Sequence, residues 1–259
     1  MKIKFQKFQG TGNDFVIIKN KDLLFPSNNN KLIEKLCDRK HGIGCDGLIL
    51  INPSQSSDFE MIYYNSNGFL GSMCGNGARC SVKFAQIHNL INNNTSFEAY
   101  DGNHEASIEN NIVSLSMKPV NNIKIFNDGL FLDTGSPHYI KVVNNIENLD
   151  VYNEGKSIRN SKEYREKGVN VNFVKICSKD EFQVRTYERG VENETLSCGT
   201  GVTAVALAMF HSGRTDSKKI NIKTKGGELT VKFDTSELGY NNIKLIGKVE
   251  IIFSGEIEV

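Results

Sequence analysis

The sequence predicts an α/β (α+β) protein of two pseudo-symmetric domains, each a mostly antiparallel or mixed β-sheet wrapped around a central buried helix. Three observations predict it. Short alternating apolar and polar runs fill both halves of the chain, which is the period of half-buried strands. The same motifs recur in the same order at an offset of 123 or 124 residues. Each half also holds one helix-like stretch, 78–87 mixed but mostly apolar and 199–210 small and apolar nearly all round, as a helix covered on every side requires.

The repeat is read from three pairs. Thr11-Gly12-Asn13-Asp14 is echoed by Thr134-Gly135-Ser136-Pro137, Tyr64-Asn65 by Tyr187-Glu188, and Cys74-Gly75-Asn76-Gly77 by Cys198-Gly199-Thr200-Gly201. Ordered echoes of this kind point to duplication of a unit of about 120–130 residues, an ordinary domain size. In the first half, residues 3–9 and 14–19 read as strands about the Gly10-Thr11-Gly12 turn, 31–38 as a short helix, and 48–52 and 59–65 as strands. A helix follows from Cys74 to about His88, then strands at 96–100 and 112–117. In the second half, strands are expected at 130–133, 138–143, 170–177 and 181–188, with a helix from Cys198 to His211. Gly226-Gly227 marks a hairpin, and 244–253 and 256–259 read as closing strands. Lys2, Lys4 and Lys7 are read as the solvated face of the first strand, and Pro119-Val120-Asn121-Asn122 as the domain boundary.

Composition narrows the function. The 259 residues carry 31 Lys+Arg against 30 Asp+Glu, a net charge of +1. That balance removes the electrostatic case for nucleic acid or an anionic membrane as partner. No run reaches the roughly 18 apolar residues of a membrane span, and residues 1–9 alternate as a strand does, so a cytosolic protein is expected. The six cysteines (37, 45, 74, 80, 177 and 198) lack C-x-x-C spacing and an accompanying histidine pair, which disfavours a zinc site or a thioredoxin-type motif.

Two stretches mimic dinucleotide fingerprints. Gly42-x-Gly44-x-x-Gly47 follows helix-like residues and leads into a strand, the reverse of the required context. Gly199-x-Gly201-x-x-Ala204 does open a helix, but too many loop residues separate it from the preceding strand. The better reading starts from Cys74 and Cys198, each immediately before a Gly-x-Gly that opens a helix. A helix N-terminus offers unsatisfied N–H groups and a positive field, so each motif suits half of a carboxylate and favours a thiolate. If the duplicated halves pack about a pseudo-twofold axis, the sulfurs face each other across a cleft, one on each side of a substrate carbon. One thiolate and one thiol then serve to remove a proton from one face and return another to the opposite face.

The ordered set Gly10-Thr11-Gly12-Asn13-Asp14-Phe15, His41-Gly42-Ile43-Gly44, Tyr64-Asn65, Cys74-Gly75-Asn76-Gly77-Ala78-Arg79-Cys80, Gly135-Ser136-Pro137-His138, Asn170, Tyr187-Glu188-Arg189-Gly190 and Glu194-Thr195-Leu196-Ser197-Cys198-Gly199-Thr200-Gly201 resembles the diaminopimelate epimerases. These enzymes interconvert LL- and meso-2,6-diaminopimelate, without cofactor or metal, for lysine and peptidoglycan synthesis. The resemblance implies Cys74 and Cys198 as the two bases, with the active site in the cleft between the domains. It implies a last strand that returns to the first domain, giving domains of 1–118 plus 246–259 and 119–245. The reacting carboxylate is expected between the N–H groups of Gly75-Asn76 and Gly199-Thr200. Asn13, Asn65, Asn170 and Arg189 are expected to hold the distant amino acid end. Glu188 would neutralise an ammonium or relay a proton near one sulfur, and His138 near the other. A cytoplasmic homodimer is implied as well.

The chain departs from the family pattern at Gly47, where many members carry Gln, at Ser136, where many carry Asn, and in a slightly longer Val191-Glu192-Asn193. Cys37, Cys45, Cys80 and Cys177 are expected to be packing thiols. Rival readings are a proline racemase or hydroxyproline epimerase, whose first Cys-Gly usually precedes His rather than Asn76, and a phenazine-pathway isomerase, which lacks the cysteine pair. A degenerate amino-acid-binding protein and a redox role for Cys74 and Cys80 complete the set.

Overall fold

The computed structural model describes residues 1–126 and 128–259, and the chain divides into two compact units, Met1–Leu115 with Gly247–Val259, and Ser116–Ile246. The same chain of pairings builds each. In the first unit, strand Asn13–Lys19 runs parallel to Gly47–Asn52, which is antiparallel to Phe59–Asn65. In the second, Pro137–Val142 runs parallel to Asn170–Ile176, which is antiparallel to Glu181–Glu188. A helix lies in each parallel crossover: α1 (Asn30–Cys37) in the first unit. After the antiparallel pair comes the cysteine-led helix, α2 (Gly75–Ile87). In the second unit the two are α3 (Val151–Arg159) and α4 (Gly199–His211).

Strand faces explain why these sheets need two helices each. Phe15-Val16-Ile17-Ile18 and Leu48-Ile49-Leu50-Ile51 are buried throughout, as strands covered on both faces must be. Val16, Ile18, Leu48 and Leu50 pack with Ile33 and Leu36 of α1. Phe15, Ile49 and Met61 turn to the opposite face, where a Cβ on Gly77 of α2 would meet all three at 3.0–3.4 Å. The second unit repeats the division. Tyr139, Val171, Phe173 and Tyr187 pack with Val151 of α3, whereas Ile140, Val174, Phe182 and Val184 pack with Val202, Val205, Leu207 and Met209 of α4. Ten of the thirteen residues of α4 are buried. A helix this apolar has no solvent face, so the sheet must surround it.

Four expectations change. Lys7 is not on the solvated face with Lys2 and Lys4: it lies an odd number of positions along the strand from both, so its side chain shares the face of Ile3 and Phe5. It is 8% exposed, pairs with Asp14 at 2.9 Å and donates to the Gly44 carbonyl. Helix α3 escaped the sequence reading because a glycine sits in its middle and its apolar residues are sparse, although Asp150 caps it by accepting from Asn153 N at 3.1 Å. Gly155 lets α3 lie against Tyr187, since a Cβ there would come within 2.3 Å of Tyr187 Cβ and 2.6 Å of its ring Cγ. The closing strands are Gly239–Lys248 and Glu250–Glu258, with the corner at buried Val249, whose N–H donates to Asn111 O at 3.0 Å. Charged and apolar residues keep alternating through 247–251, which hid that corner. Finally, Cys177 is exposed rather than packed, while Cys37, Cys45 and Cys80 are buried, and no disulfide forms among the described residues.

Truncating Leu207, fully buried in α4, leaves a cavity the surrounding sheet cannot fill. Leu207→Ala is expected to cost about 2–5 kcal/mol in urea unfolding, whereas Leu238→Ala, at 79% exposure, stays within about 0.5 kcal/mol of wild type.

Candidate functional site

Both cysteines of the repeated motif are N-caps. Cys74 (φ −112°, ψ 115°) precedes α2 and Cys198 (φ −118°, ψ 111°) precedes α4, each in extended backbone, and neither side chain caps its helix. Their carbonyls accept the first helical bonds, from Ala78 N at 2.8 Å and Val202 N at 2.9 Å. The sulfurs therefore project at the helix starts, where the helix itself supplies no acceptor for its first-turn N–H groups and the macrodipole is positive. The second glycine of each motif has a packing reason. A Cβ at Gly201 would stand 2.4 Å from Asn172 Oδ1, and one at Gly77 would meet Ile49 Cδ1 at 3.0 Å.

Around Cys74, Asn13 Oδ1 accepts from the thiol at 3.7 Å and from Asn76 Nδ2 at 3.3 Å. Asn13 Nδ2 donates to Asp46 Oδ2 at 2.6 Å. Asp46 is in turn held by Arg39 at 2.8 Å, and its N–H donates to Asp14 Oδ1 at 2.9 Å. Burial opposes charge on Asp14, but hydrogen bonds from Arg39 and Lys7 outweigh it and hold the carboxyl at about 2. Behind Asn76 lies Arg79, wholly buried. It donates to Asn76 Oδ1 at 2.9 Å, Thr11 Oγ1 at 3.3 Å and the Gly75 carbonyl at 3.2 Å. Thr11 adopts φ 50°, a conformation costly to a branched residue, and its hydroxyl reaches Asn76 Oδ1 at 3.2 Å.

Around Cys198, Thr200 Oγ1 lies 3.4 Å from the sulfur and 2.9 Å from His138 Nε2. His138 Nδ1 accepts from Asn172 Nδ2 at 3.1 Å. That histidine sits on strand Pro137–Val142, fully buried, and burial together with the charge of Arg189 pushes its pKa down to about 3. It is a neutral ring at physiological pH.

His138 pairs in register with Asn170, which opens a second group in the same unit. Asn170 Oδ1 accepts from Arg189 N at 2.8 Å, and its Nδ2 donates to Ser136 Oγ at 3.0 Å. The Arg189 guanidinium reaches Ser136 Oγ at 3.4 Å and Lys167 O at 2.9 Å. Ser136 thus ties Asn170 to Arg189. Glu188 ends strand Glu181–Glu188, half-buried, beside this group. In the first unit Asn65 ends its strand opposite Gly47. A side chain at position 47 is excluded here: a Cβ would come within 2.4 Å of the Tyr63 ring and 2.6 Å of Tyr64 O. The structure brings together Asn13, Cys74, Gly75 and Asn76 in one unit, and His138, Cys198, Gly199 and Thr200, with Asn170 and Arg189, in the other. Sequence reading missed Thr11, Asp46, Asn172 and the role of Arg79. The signal was there for Arg79, an arginine between Ala78 and Cys80 in the first turns of the cysteine-led helix.

Two sheet-and-helix units of one pairing pattern define a fold class with solved members. A PhzF-family phenazine biosynthesis protein from Bacillus anthracis superposes with a TM-score of 0.79 at 14% identity, covering 100% of both chains. A hydroxyproline epimerase from Agrobacterium vitis superposes with a TM-score of 0.71 at 15% identity, covering 99% of this chain and 91% of that one. At such identities the likeness is one of fold. Sequence comparison is narrower: the diaminopimelate epimerase family matches residues 5–122 and 130–251. The diaminopimelate epimerase of Flavobacterium psychrophilum is 52% identical over 98% of this chain and 100% of its own length. That of Chlorobaculum tepidum is 42% identical over 96% and 98%. The chain belongs to the diaminopimelate epimerase family.

Because His138 is held neutral far below its unfolded pKa near 6.5, the unfolded chain binds a proton between these values that the folded one does not. Its contribution to stability is complete above about pH 6.5 and is lost as pH falls toward 3. The urea midpoint of wild type is expected to fall more steeply over that window than that of His138→Gln. Parallel curves would show that the ring takes up its proton without cost.

Proposed function

We propose that this protein interconverts LL- and meso-2,6-diaminopimelate, using Cys74 and Cys198 as a thiolate–thiol pair and no cofactor. The observation that carries the reading is the equivalent placement of the two sulfurs, each at the N-terminus of a buried helix in a duplicated chain, within a family of that name. One thiolate takes the α-proton as the C–H electron pair moves into the substrate carboxylate. First-turn N–H groups of α2 and α4, from Gly75-Asn76 and Gly199-Thr200, stabilise the charge that develops on the carboxylate oxygens. The other thiol delivers its proton to the opposite face of the carbon, and the negative charge ends on that second sulfur. No net proton is gained or lost, so the same pair runs either direction.

Asn13, Asn65, Asn170 and Arg189 bind the amino acid end that does not react. Arg189 suits that carboxylate because its planar fork donates to both oxygens. Glu188 offers a counter-charge to an ammonium. His138, neutral at working pH, acts as a hydrogen-bonding group rather than a charged acid. The product serves lysine and cell-wall synthesis, and the family resemblance supports a cytoplasmic homodimer; no helix among the described residues is long and apolar enough to cross a membrane. Proline or hydroxyproline as substrate has the fold likeness alone behind it.

Purified protein in deuterated water, given LL-diaminopimelate without pyridoxal phosphate or metal, is expected to place one deuterium at an α-carbon as the meso form appears. Cys74→Ala and Cys198→Ala are each expected to lower turnover by at least about 100-fold, since general acid–base groups contribute factors of that order. Exchange with proline in place of diaminopimelate would move the substrate assignment, and undiminished turnover in either variant would end the two-thiol mechanism.

A further inference from the structure

The hydrogen bonds around the two sulfurs run in opposite directions, and each direction is fixed by a group that cannot reverse. In the second unit the fixed point is the carbonyl of Tyr139, which only accepts. It receives Asn172 at 3.2 Å, so that side-chain atom is the amide nitrogen, and the same nitrogen lies 3.1 Å from His138 Nδ1. Thr186 Oγ1 completes the amide by donating to Asn172 Oδ1 at 3.0 Å. Facing a donor, His138 Nδ1 presents its lone pair, and the proton of the neutral ring resides on Nε2. Nε2–H then donates to Thr200 Oγ1 at 2.9 Å, which leaves the threonine's own proton for Cys198 Sγ at 3.4 Å. The sulfur of Cys198 is an acceptor.

In the first unit the fixed points are a carboxylate and a guanidinium. Asp46 accepts from Asn13 Nδ2 at 2.6 Å, which turns Asn13 Oδ1 toward Cys74 Sγ at 3.7 Å. Arg79 donates to Asn76 Oδ1 at 2.9 Å, which turns Asn76 Nδ2 onto the same Asn13 oxygen at 3.3 Å. An oxygen held against a sulfur favours the protonated thiol. The charged and titratable groups near Cys74 include Arg79 and Cys80, and the charge of Arg79 pulls the other way. The bonds from its Nη1 and Nη2, however, go to Gly75, Thr11 and Asn76, and its field is shared between Cys74 and Cys80, whereas Thr200 acts on Cys198 in direct contact.

On the two-thiol reading above, we infer that Thr200 is a positioning residue whose hydroxyl, oriented by His138 and Asn172, holds Cys198 as the resting thiolate and leaves Cys74 as the resting thiol. Cys198 is then the base on the first turnover and Cys74 the acid, with the charge returned when the reaction runs back. A threonine hydroxyl achieves this without titrating, so the asymmetry does not depend on a charged histidine.

Wild-type protein is treated with limiting iodoacetamide at neutral pH without substrate, and labelling is followed peptide by peptide. Cys198 is 9% exposed, Cys74 is half-buried and Cys177 is exposed, so access alone predicts that Cys198 reacts last of these three. The inference predicts the reverse: Cys198 labels about 10-fold or more faster than either, because thiolate is the nucleophile. Thr200→Val is expected to slow Cys198 about 10-fold or more, as a hydrogen bond to a charged group would, while Thr200→Ser stays within about twofold. Thr200→Ala serves where valine does not fold, with circular dichroism and the Cys177 rate reporting the fold. Faster labelling of Cys74, or equal rates in the serine variant and the valine or alanine variant, overturns the inference. Since labelling needs no turnover, that result leaves the two-thiol reading standing if α-proton exchange persists in the same wild-type sample.

Discussion

Each unit is organised around a helix that starts at a cysteine which does not cap it. A serine, threonine, asparagine or aspartate at that position would close a hydrogen bond to the first turn, and giving one up costs about 0.5–2 kcal/mol. Cys74 and Cys198 forgo it in the same extended backbone conformation. What keeps the helices in place is burial: ten residues of each are inaccessible to solvent. The helix position, and with it the sulfur, is set by glycine. Gly201 admits Asn172 and Gly77 admits Ile49 at distances no other residue tolerates without displacement. Fold and site are therefore one constraint, since the close approach that buries the helix also fixes where its first turn points.

The two units satisfy that constraint with different polar supports. Around Cys198 the support is neutral, a threonine, a histidine and two hydrogen-bonded strand residues, Asn172 and Thr186. Around Cys74 it is ionic, with Lys7, Asp14, Arg39 and Asp46 behind Asn13 and the buried Arg79 behind Asn76. Position 79 corresponds to Thr203 in the repeat, and both side chains bond the carbonyl four residues back, Gly75 and Gly199, at 3.2 and 3.0 Å. A duplication preserves backbone roles while the electrostatics diverge. A reaction that needs one thiolate and one thiol at the same time benefits from such divergence.

Much of this was legible in the sequence, for definite reasons. Continuous apolar runs in 14–19 and 48–52 and alternation in 181–188 mark strands, and the nearly all-apolar run 202–209 marks a helix without a wet side. The repeated Cys-Gly-x-Gly placed both sulfurs. Helix α3 was hidden by Gly155, whose reason is Tyr187, a contact far away in sequence. Lys7 was misassigned because charge was given more weight than strand parity. The supports of the site were harder still. Thr11, Asp46 and Asn172 are ordinary polar residues in any linear reading, and only the pairing of strands distant in sequence shows them bonded to Asn76, Asn13 and His138.

On the proposed two-thiol mechanism the two sulfurs share one substrate carbon, and a short bis-electrophile probes that sharing. One equivalent of 1,3-dibromoacetone added to wild-type protein, followed by proteolysis and mass spectrometry, reports whether a three-carbon bridge forms between the peptides carrying Cys74 and Cys198. The account predicts an intramolecular Cys74–Cys198 bridge as the main product, suppressed by diaminopimelate. Separate single-site adducts at the two cysteines, unaffected by substrate, would contradict it.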